Sequence, residues 1–323
     1  MDFYIKYKFK ERSLCYDSSR TFKVKLLVLL LALTAAVFLK SDLTDWLWLQ
    51  DQNSCACGKR LSKDNLRALH RLNHSVEPFL TVNTNLSEEA FRWWTHEQRD
   101  FSYYKSTVHK LFELLPPVAD HGEPSSDSCR TCAVVGNSAN LKGSRYRSLI
   151  DYQDVVIRMN AAPTKNYESD VGTKTTHRVM YPESAVDLDN STLLVLFPFK
   201  INDLQWVIKA ITTGFYGRSY VPIKFKIKAN KDLVSFMRYV HEIWLKKKGD
   251  YPFTGFMALI LALQICDEVS VFGYGADDDG NWSHYFETLK SKNFKTGPHP
   301  GKHEYAIIDE VAQNKTIRLY NKW

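Results

Sequence analysis

The stretch CRTCAVVGNSANLKGSRYRSLIDYQDVVIRMN, running from Cys129 to Asn160, decides the fold. A short apolar run, Cys132–Val135, breaks sharply at Gly136-Asn137-Ser138, and a second run, Val155–Met159, stops at Asn160. Glycine followed by small polar residues after a buried strand is where a backbone can approach a phosphate or nucleotide. The turn carries no Gly-Lys-Ser/Thr and no Gly-x-Gly-x-x-Gly, so it is neither a P-loop nor the common dinucleotide fingerprint.

Outward from this stretch the same pattern repeats. HRVMYP, TLLVLFPF, SYVPI and EVSVFGYG read as further strands, rich in β-branched and aromatic residues. Between them, 203–211, 233–247 and 255–266 carry helical spacing. Continuous apolar strands separated by helices predict an α/β domain with a mostly parallel sheet covered on both faces. Ahead of it, 61–115 reads as a helical preamble, with a helix start at Ser87 before Glu88 and Glu89. Pro116-Pro117 ends that preamble.

In such sheets a ligand sits beyond the carboxyl ends of the strands, where strand order reverses. The residues at those ends are Gly136-Asn137-Ser138, Asn160, Tyr181, Tyr220 and Gly273-Tyr274-Gly275. Any single Asn or Gly there can be a plain turn residue. Their recurrence after several strands predicts a nucleotide pocket, since asparagine offers both donors and acceptors to a phosphate or a base edge. Downstream, His284 lies in NWSHYFE, and KTGPHPGKHEY brings His299, His303 and Glu304. A histidine suits general-base work near neutral pH. Asp277-Asp278-Asp279 precedes Gly280-Asn281 and reads as a solvated turn rather than a metal site.

The chain has 323 residues with 44% hydrophobic, 24% charged and 13% aromatic content, ordinary for a globular protein apart from its aromatics. The net charge of +7 is gathered largely in residues 1–25, so nothing here argues for nucleic acid. Residues 26–39, LLVLLLALTAAVFL, are apolar and follow that basic tail. A cleaved signal peptide and an uncleaved anchor both fit. The long basic region ahead of it, and Trp46 and Trp48 beyond it, favour an anchor with the bulk of the chain lumenal. The organisation expected is a tail at 1–25, an anchor at 26–39, a stem at 40–60 and a lumenal domain at 61–323. Asn73, Asn85, Asn190, Asn281 and Asn314 head Asn-x-Ser/Thr sequons, as a lumenal domain would use. Of the six cysteines, Cys15 precedes the anchor, leaving Cys55, Cys57, Cys129, Cys132 and Cys266 in an oxidising compartment. A zinc site from Cys55-x-Cys57 and Cys129-x-x-Cys132 is conceivable, but the compartment favours disulfides.

With these residues in place the chain resembles a known family. The region from Cys129 to Ser184 is similar to the large motif of animal sialyltransferases, glycosyltransferase family 29, and YPFTGFMALILALQICDEVSVFGYGAD to their small motif. HYFE at 284–287 resembles the third motif, and His299 with Glu304 the very small one. FRWWTHEQR, VGTKTTH, AITTG and GNWSHYFE are most similar to the β-galactoside α-2,3-sialyltransferases acting on Galβ1-3GalNAc. The resemblance implies a GT-A-like variant with a Rossmann-type sheet, held in the Golgi membrane as a single-pass type II protein. It implies transfer of sialic acid from CMP-sialic acid, with inversion, no metal and no cofactor.

By resemblance, Asn137, Ser138 and Asn160 contact CMP, and Thr254, Gly255 and Gly275 line its cytidine and ribose. Tyr220 and Tyr251 lie near phosphate and acceptor, and Gln98 touches the acceptor galactose. His284 steadies the leaving phosphate and His299 is the general base. The family pairs Cys132 with Cys266 and Cys57 with Cys129. The nearest relatives carry Cys-x-Cys-x-x-Cys at the stem, whereas this chain has Cys55-Ala-Cys57-Gly-Lys-Arg60, which takes away the expected partner of Cys55. Two other readings compete: an inactive lectin-like glycan binder, and a sialyltransferase forming an α-2,6 or α-2,8 linkage. Intact His284 and His299 argue against the first, and the RWW segment before Gln98 against the second.

Overall fold

The computed structural model describes residues 71–94, 97–115, 129–218, 222–225, 231–233, 236–277, 280–288 and 299–320. The chain falls into two compact units, Met1–Gly58 and Lys59–Trp323, and every described residue belongs to the second. The proposed tail, anchor and stem, with Cys55, Cys57 and Tyr220, lie outside the described residues. No helix among the described residues is long and apolar enough to cross a membrane.

The domain is α/β, built on a seven-stranded sheet. Its strands are β1 (Thr131–Val135), β2 (Val155–Met159), β3 (His177–Met180), β4 (Leu193–Leu196), β7 (Lys231–Leu233), β8 (Glu268–Phe272) and β9 (Arg318–Tyr320). They lie in the order β7-β4-β3-β2-β1-β8-β9, and every pairing is parallel. The chain lays strands outward from β1 on one side and then returns to place β8 on its other side. The reversal of strand order therefore falls between β1 and β8.

The unbroken apolar runs of these strands follow from cover on both faces. Alternate residues serve different layers: Cys132 and Val134 join one cluster, Ala133 and Val135 another. In β4, Val195 faces the first layer while Leu194 and Leu196 face a third cluster. The first layer is dominated by the helix Thr254–Ile265, buried from Phe256 through Leu263, which runs under β1, β2, β3 and β8. A disulfide between Cys132 and Cys266 joins β1 to the end of that helix, as the resemblance implied.

Three expectations change. SYVPI was expected to supply a strand of the main sheet. Instead β6 (Pro222–Phe225) pairs antiparallel with β5 (Phe215–Arg218) in a separate hairpin. Pro222 has no N–H for a central ladder, which suits an edge position. The helical preamble holds only α1 (Glu88–Arg92) and α2 (Phe101–Leu114) among its described residues. Local side-chain bonds, Asn73 Oδ1 to the Ser75 amide and Thr84 Oγ1 to the Thr81 amide, turn the chain before Ser87 caps α1. Asp100 then caps α2 afresh. Finally, the segment 233–247 begins as the end of β7, and its helix covers only Met237–Tyr239 before widening into a π-turn at Val240–Trp244.

Candidate active site

The turns that follow β1 and β8 meet at the strand-order reversal. Gly136 N–H donates to Phe272 O at 2.7 Å and Ser138 N–H to Gly273 O at 3.0 Å. A Cβ on Gly136 would stand 2.2 Å from Gly273 O, so only glycine lets the backbones cross here. Gly273 itself has φ +70°. The Ser138 Oγ caps a short 3-10 turn at Ala139–Leu141, and Asn140 Nδ2 donates to Tyr274 O at 2.7 Å. These bonds fix Asn137 between two strand ends. Its Oδ1 is buried and without a hydrogen-bond partner. A buried orphan acceptor is costly, which marks this atom as one that a ligand completes.

His284 is laced onto the same turn. It forms an antiparallel bridge with Ser138, flanked by Ala139 N–H to Ser283 O at 2.8 Å and Tyr285 N–H to Asn137 O at 2.9 Å. The buried Tyr285 anchors the segment by donating to Pro163 O at 2.6 Å. The imidazole stacks on Phe286, and its Nδ1 lies 2.8 Å from Glu287 Oε2, close but off the line of a good hydrogen bond. From β2, Asn160 takes a left-handed φ of 51°, its Oδ1 accepting from Ser184 Oγ at 2.7 Å. That leaves its amide N–H groups to offer a ligand. Thr254 and Gly255 open the N-terminal, electropositive end of the long buried helix, and Tyr274 Oη donates to Gly255 O at 2.8 Å.

His299 and Glu304 grip one segment from two sides. His299 Nδ1 lies 3.2 Å from Tyr251 O, and its ring stacks on Phe253 at 3.9 Å and meets Tyr251 edge-on at 4.9 Å. A carbonyl only accepts, so Nδ1 carries the proton and the lone pair resides on Nε2. Burial lowers the pKa of His299, partly offset by the Tyr251 carbonyl and Asp250. Glu304, in the first turn of the helix Gly301–Gln313, accepts the Phe253 N–H at 2.8 Å. Burial pushes its carboxyl up to about 8. His303, next to it, does not reach the cavity.

These residues line one cavity of about 930 Å³. Asn137, Ser138, Asn160, Tyr251, Thr254, Gly255, Gly275, His284 and His299 all stand on its wall. Two sequence expectations do not fit. Gln98 is exposed and absent from the wall, because the Glu97 carboxylate holds the amides of Gln98, Arg99 and Ile201 and turns the chain outward. Trp93 and Trp94 line the cavity instead, as do Tyr181 and Phe199, whose rings meet edge-on at 6.1 Å. Asn281 is buried with its Nδ2 at 3.2 Å from Asp277 Oδ1, so the folded domain gives that sequon no room for a glycan. The Asp277 carboxylate also accepts from the Asn281 amide, closing a turn. Asn73, Asn85, Asn190 and Asn314 are exposed. Among the described residues no group of His, Cys, Asp and Glu is placed to hold a metal ion. Trp93, Trp94 and Phe199 had no distinguishing signal beyond the quoted RWW, since apolar aromatics most often fill cores.

Comparison with known proteins finds relatives in sequence and in fold. The model of glycosyltransferase family 29 (sialyltransferase) matches residues 79–316. The chain is 44% identical over 282 residues to the CMP-N-acetylneuraminate-beta-galactosamide-alpha-2,3-sialyltransferase 1 of Mus musculus, covering 82% of this chain and 83% of that one. The Sus scrofa protein of the same name is 42% identical over 279 residues, covering 82% and 81%. A crystal structure of a mammalian sialyltransferase superposes with a TM-score of 0.73 at 41% identity, over 83% of this chain and 99% of that chain. A second, in complex with Gal-beta-1-3GalNAc-ortho-nitrophenol, gives a TM-score of 0.73 at 40% identity, over 83% and 100%.

Proposed function

The chain belongs to glycosyltransferase family 29, the sialyltransferases, and from that premise we propose that it transfers sialic acid from CMP-sialic acid to the 3-hydroxyl of the galactose in Galβ1-3GalNAc. The observation that carries the reading is one shared cavity. It gathers the two strand-end turns, His284 and His299 around one space.

In this reading CMP lies at the glycine end, with its phosphate toward Asn137 and the helix N-terminus at Thr254. The sialic acid centre becomes oxocarbenium-like as its bond to the phosphate oxygen breaks, the electron pair leaving on CMP. The galactose 3-oxygen attacks from the opposite face and inverts configuration. His299 Nε2 takes the hydroxyl proton, and His284 donates a hydrogen bond to the leaving phosphate. CMP is a good leaving group, so the step needs neither a strong general acid nor a metal. The aromatic wall of Trp93, Trp94, Tyr181 and Phe199 offers flat apolar faces to the C–H side of the acceptor sugars. We also place residues 26–39 as a type II anchor that holds the domain in the Golgi lumen, on the basic tail ahead of it.

The test is to incubate the protein with CMP-sialic acid and Galβ1-3GalNAc, with and without EDTA, and to determine the linkage of the product. An α-2,3-sialylated galactose formed equally in both arms supports the reading. An α-2,6 or α-2,8 product overturns the linkage, CMP binding without transfer returns the chain to a glycan binder, and loss of turnover in EDTA sinks the metal-free step.

A further inference from the structure

His241 does not line the cavity, yet it is tied to two of its walls. It is buried within the π-turn Val240–Trp244. Such wide turns are rare and occur frequently at functional sites. Its Nδ1 accepts the indole N–H of Trp93 at 3.0 Å, the two rings lying 5.7 Å apart. Its Nε2 lies 3.0 Å from Gly249 O. An indole only donates and a carbonyl only accepts, so the bonds define the neutral ring with its proton on Nε2. Both nitrogens are satisfied, which offsets the cost of burying them.

The two partners matter for different reasons. Trp93 belongs to the aromatic wall. Gly249, at φ +71°, is the pivot from which Asp250-Tyr251-Pro252-Phe253 enters the cavity. That segment supplies the Tyr251 carbonyl that orients His299 and the Phe253 ring on which His299 stacks. The imidazole therefore spans the aromatic wall and the segment that seats the base.

We infer that His241 is a positioning residue for the acceptor, setting Trp93 at a fixed distance from the loop against which the catalytic base is seated. The inference rests on the reading that the aromatic wall takes Galβ1-3GalNAc. An apolar ring at position 241 would fill the space but orphan both the Trp93 N–H and the Gly249 carbonyl. Glutamine can replace both bonds, accepting through Oε1 and donating through Nε2. Asparagine is long enough to meet Trp93 only.

The experiment is steady-state kinetics of the full chain, varying donor and acceptor separately, for wild type, His241→Phe, His241→Asn and His241→Gln. His241→Phe raises the KM for Galβ1-3GalNAc about tenfold, the scale of one lost buried hydrogen bond. The KM for CMP-sialic acid stays within about twofold, His241→Asn falls between, and His241→Gln stays near wild type. In a Trp93→Phe background, which has no indole N–H to hold, His241→Phe adds little further. An unchanged acceptor KM, an equal rise in both KM values, glutamine behaving like phenylalanine, or the same tenfold effect with and without Trp93 would each overturn the assignment. If His241→Phe does not fold, the asparagine and glutamine variants decide by the same split. Absence of transfer by the wild type would fail the functional reading and the inference with it. Transfer by the wild type with indistinguishable variants fails the inference alone.

Discussion

In the proposed mechanism two side chains invite separate tests, Asn137 as a donor contact and His299 as the base. Asn137 holds a buried Oδ1 with no hydrogen-bond partner among the described residues, at the point where the turns after β1 and β8 meet. Its replacement by alanine removes one contact to the donor. The KM for CMP-sialic acid rises about tenfold while the acceptor KM is unchanged, measurable by varying each substrate in turn. His299 is different in kind, because its loss removes the base. His299→Ala lowers kcat by roughly 10² to 10⁴ with little change in donor KM. The pH dependence has a definite sign. A base works deprotonated, and burial holds this imidazole below its ordinary 6.5. The acid limb of kcat/KM therefore lies below that value, and activity persists into mildly acidic buffer. A limb above 6.5, or wild-type turnover by His299→Ala, rules the assignment out.

At the scale of elements, the start of the helix Gly301–Gln313 shows what a histidine and a glutamate at this spacing hold. His299 bonds the Tyr251 carbonyl and Glu304 the Phe253 amide, so the start of one helix clamps the segment leading into another. The Glu304 carboxyl is favoured in its protonated form, with a pKa pushed up to about 8 from 4.5. A group whose folded pKa is raised contributes stability below its unfolded pKa and loses it as pH climbs toward the folded one. Between pH 4.5 and 8 this residue thus erodes stability by at most about 1.4 kcal/mol per pH unit. Glu304→Gln keeps the acceptor and removes the titration. Its melting temperature exceeds that of wild type at pH 8 and matches it at pH 5, and equal differences at both would discard the account. Strands β1, β2 and β8 were legible because their apolar runs end in Gly or Asn, and the site residues after them for the same reason. Strands β7 and β9, three residues each, are too short to carry a pattern. The clamp was only half legible. His299 and Glu304 stand out by chemistry, but the segment they hold lies 48 and 51 residues earlier. Trp93 and His241, 148 residues apart, had no local pattern to betray them. The hairpin β5–β6 misled because a short β-branched run does not say which sheet it joins.

For the molecule as a whole, the disulfide Cys132–Cys266 bridges a separation of 134 residues and ties β1 to the helix beneath it. Replacing both cysteines with alanine costs about 2–5 kcal/mol, read as a lower urea midpoint, with a steeper slope because the unfolded chain is no longer held compact by the cross-link. A midpoint equal to that of wild type would show the bond to be dispensable. The strand order has a further consequence, for how the protein is made. β1 is the first strand of the sheet to be synthesised and sits near its middle, yet its neighbour β8 comes almost last. Until the ribosome has delivered Glu268–Phe272, one edge of β1 has no strand to pair with and its thiol no partner. Five of the seven strands can assemble during elongation, but the cavity between the turns after β1 and β8 exists only when synthesis is nearly over. A ribosome stalled before β8 would therefore leave a half-built sheet, with one edge of β1 and its thiol exposed.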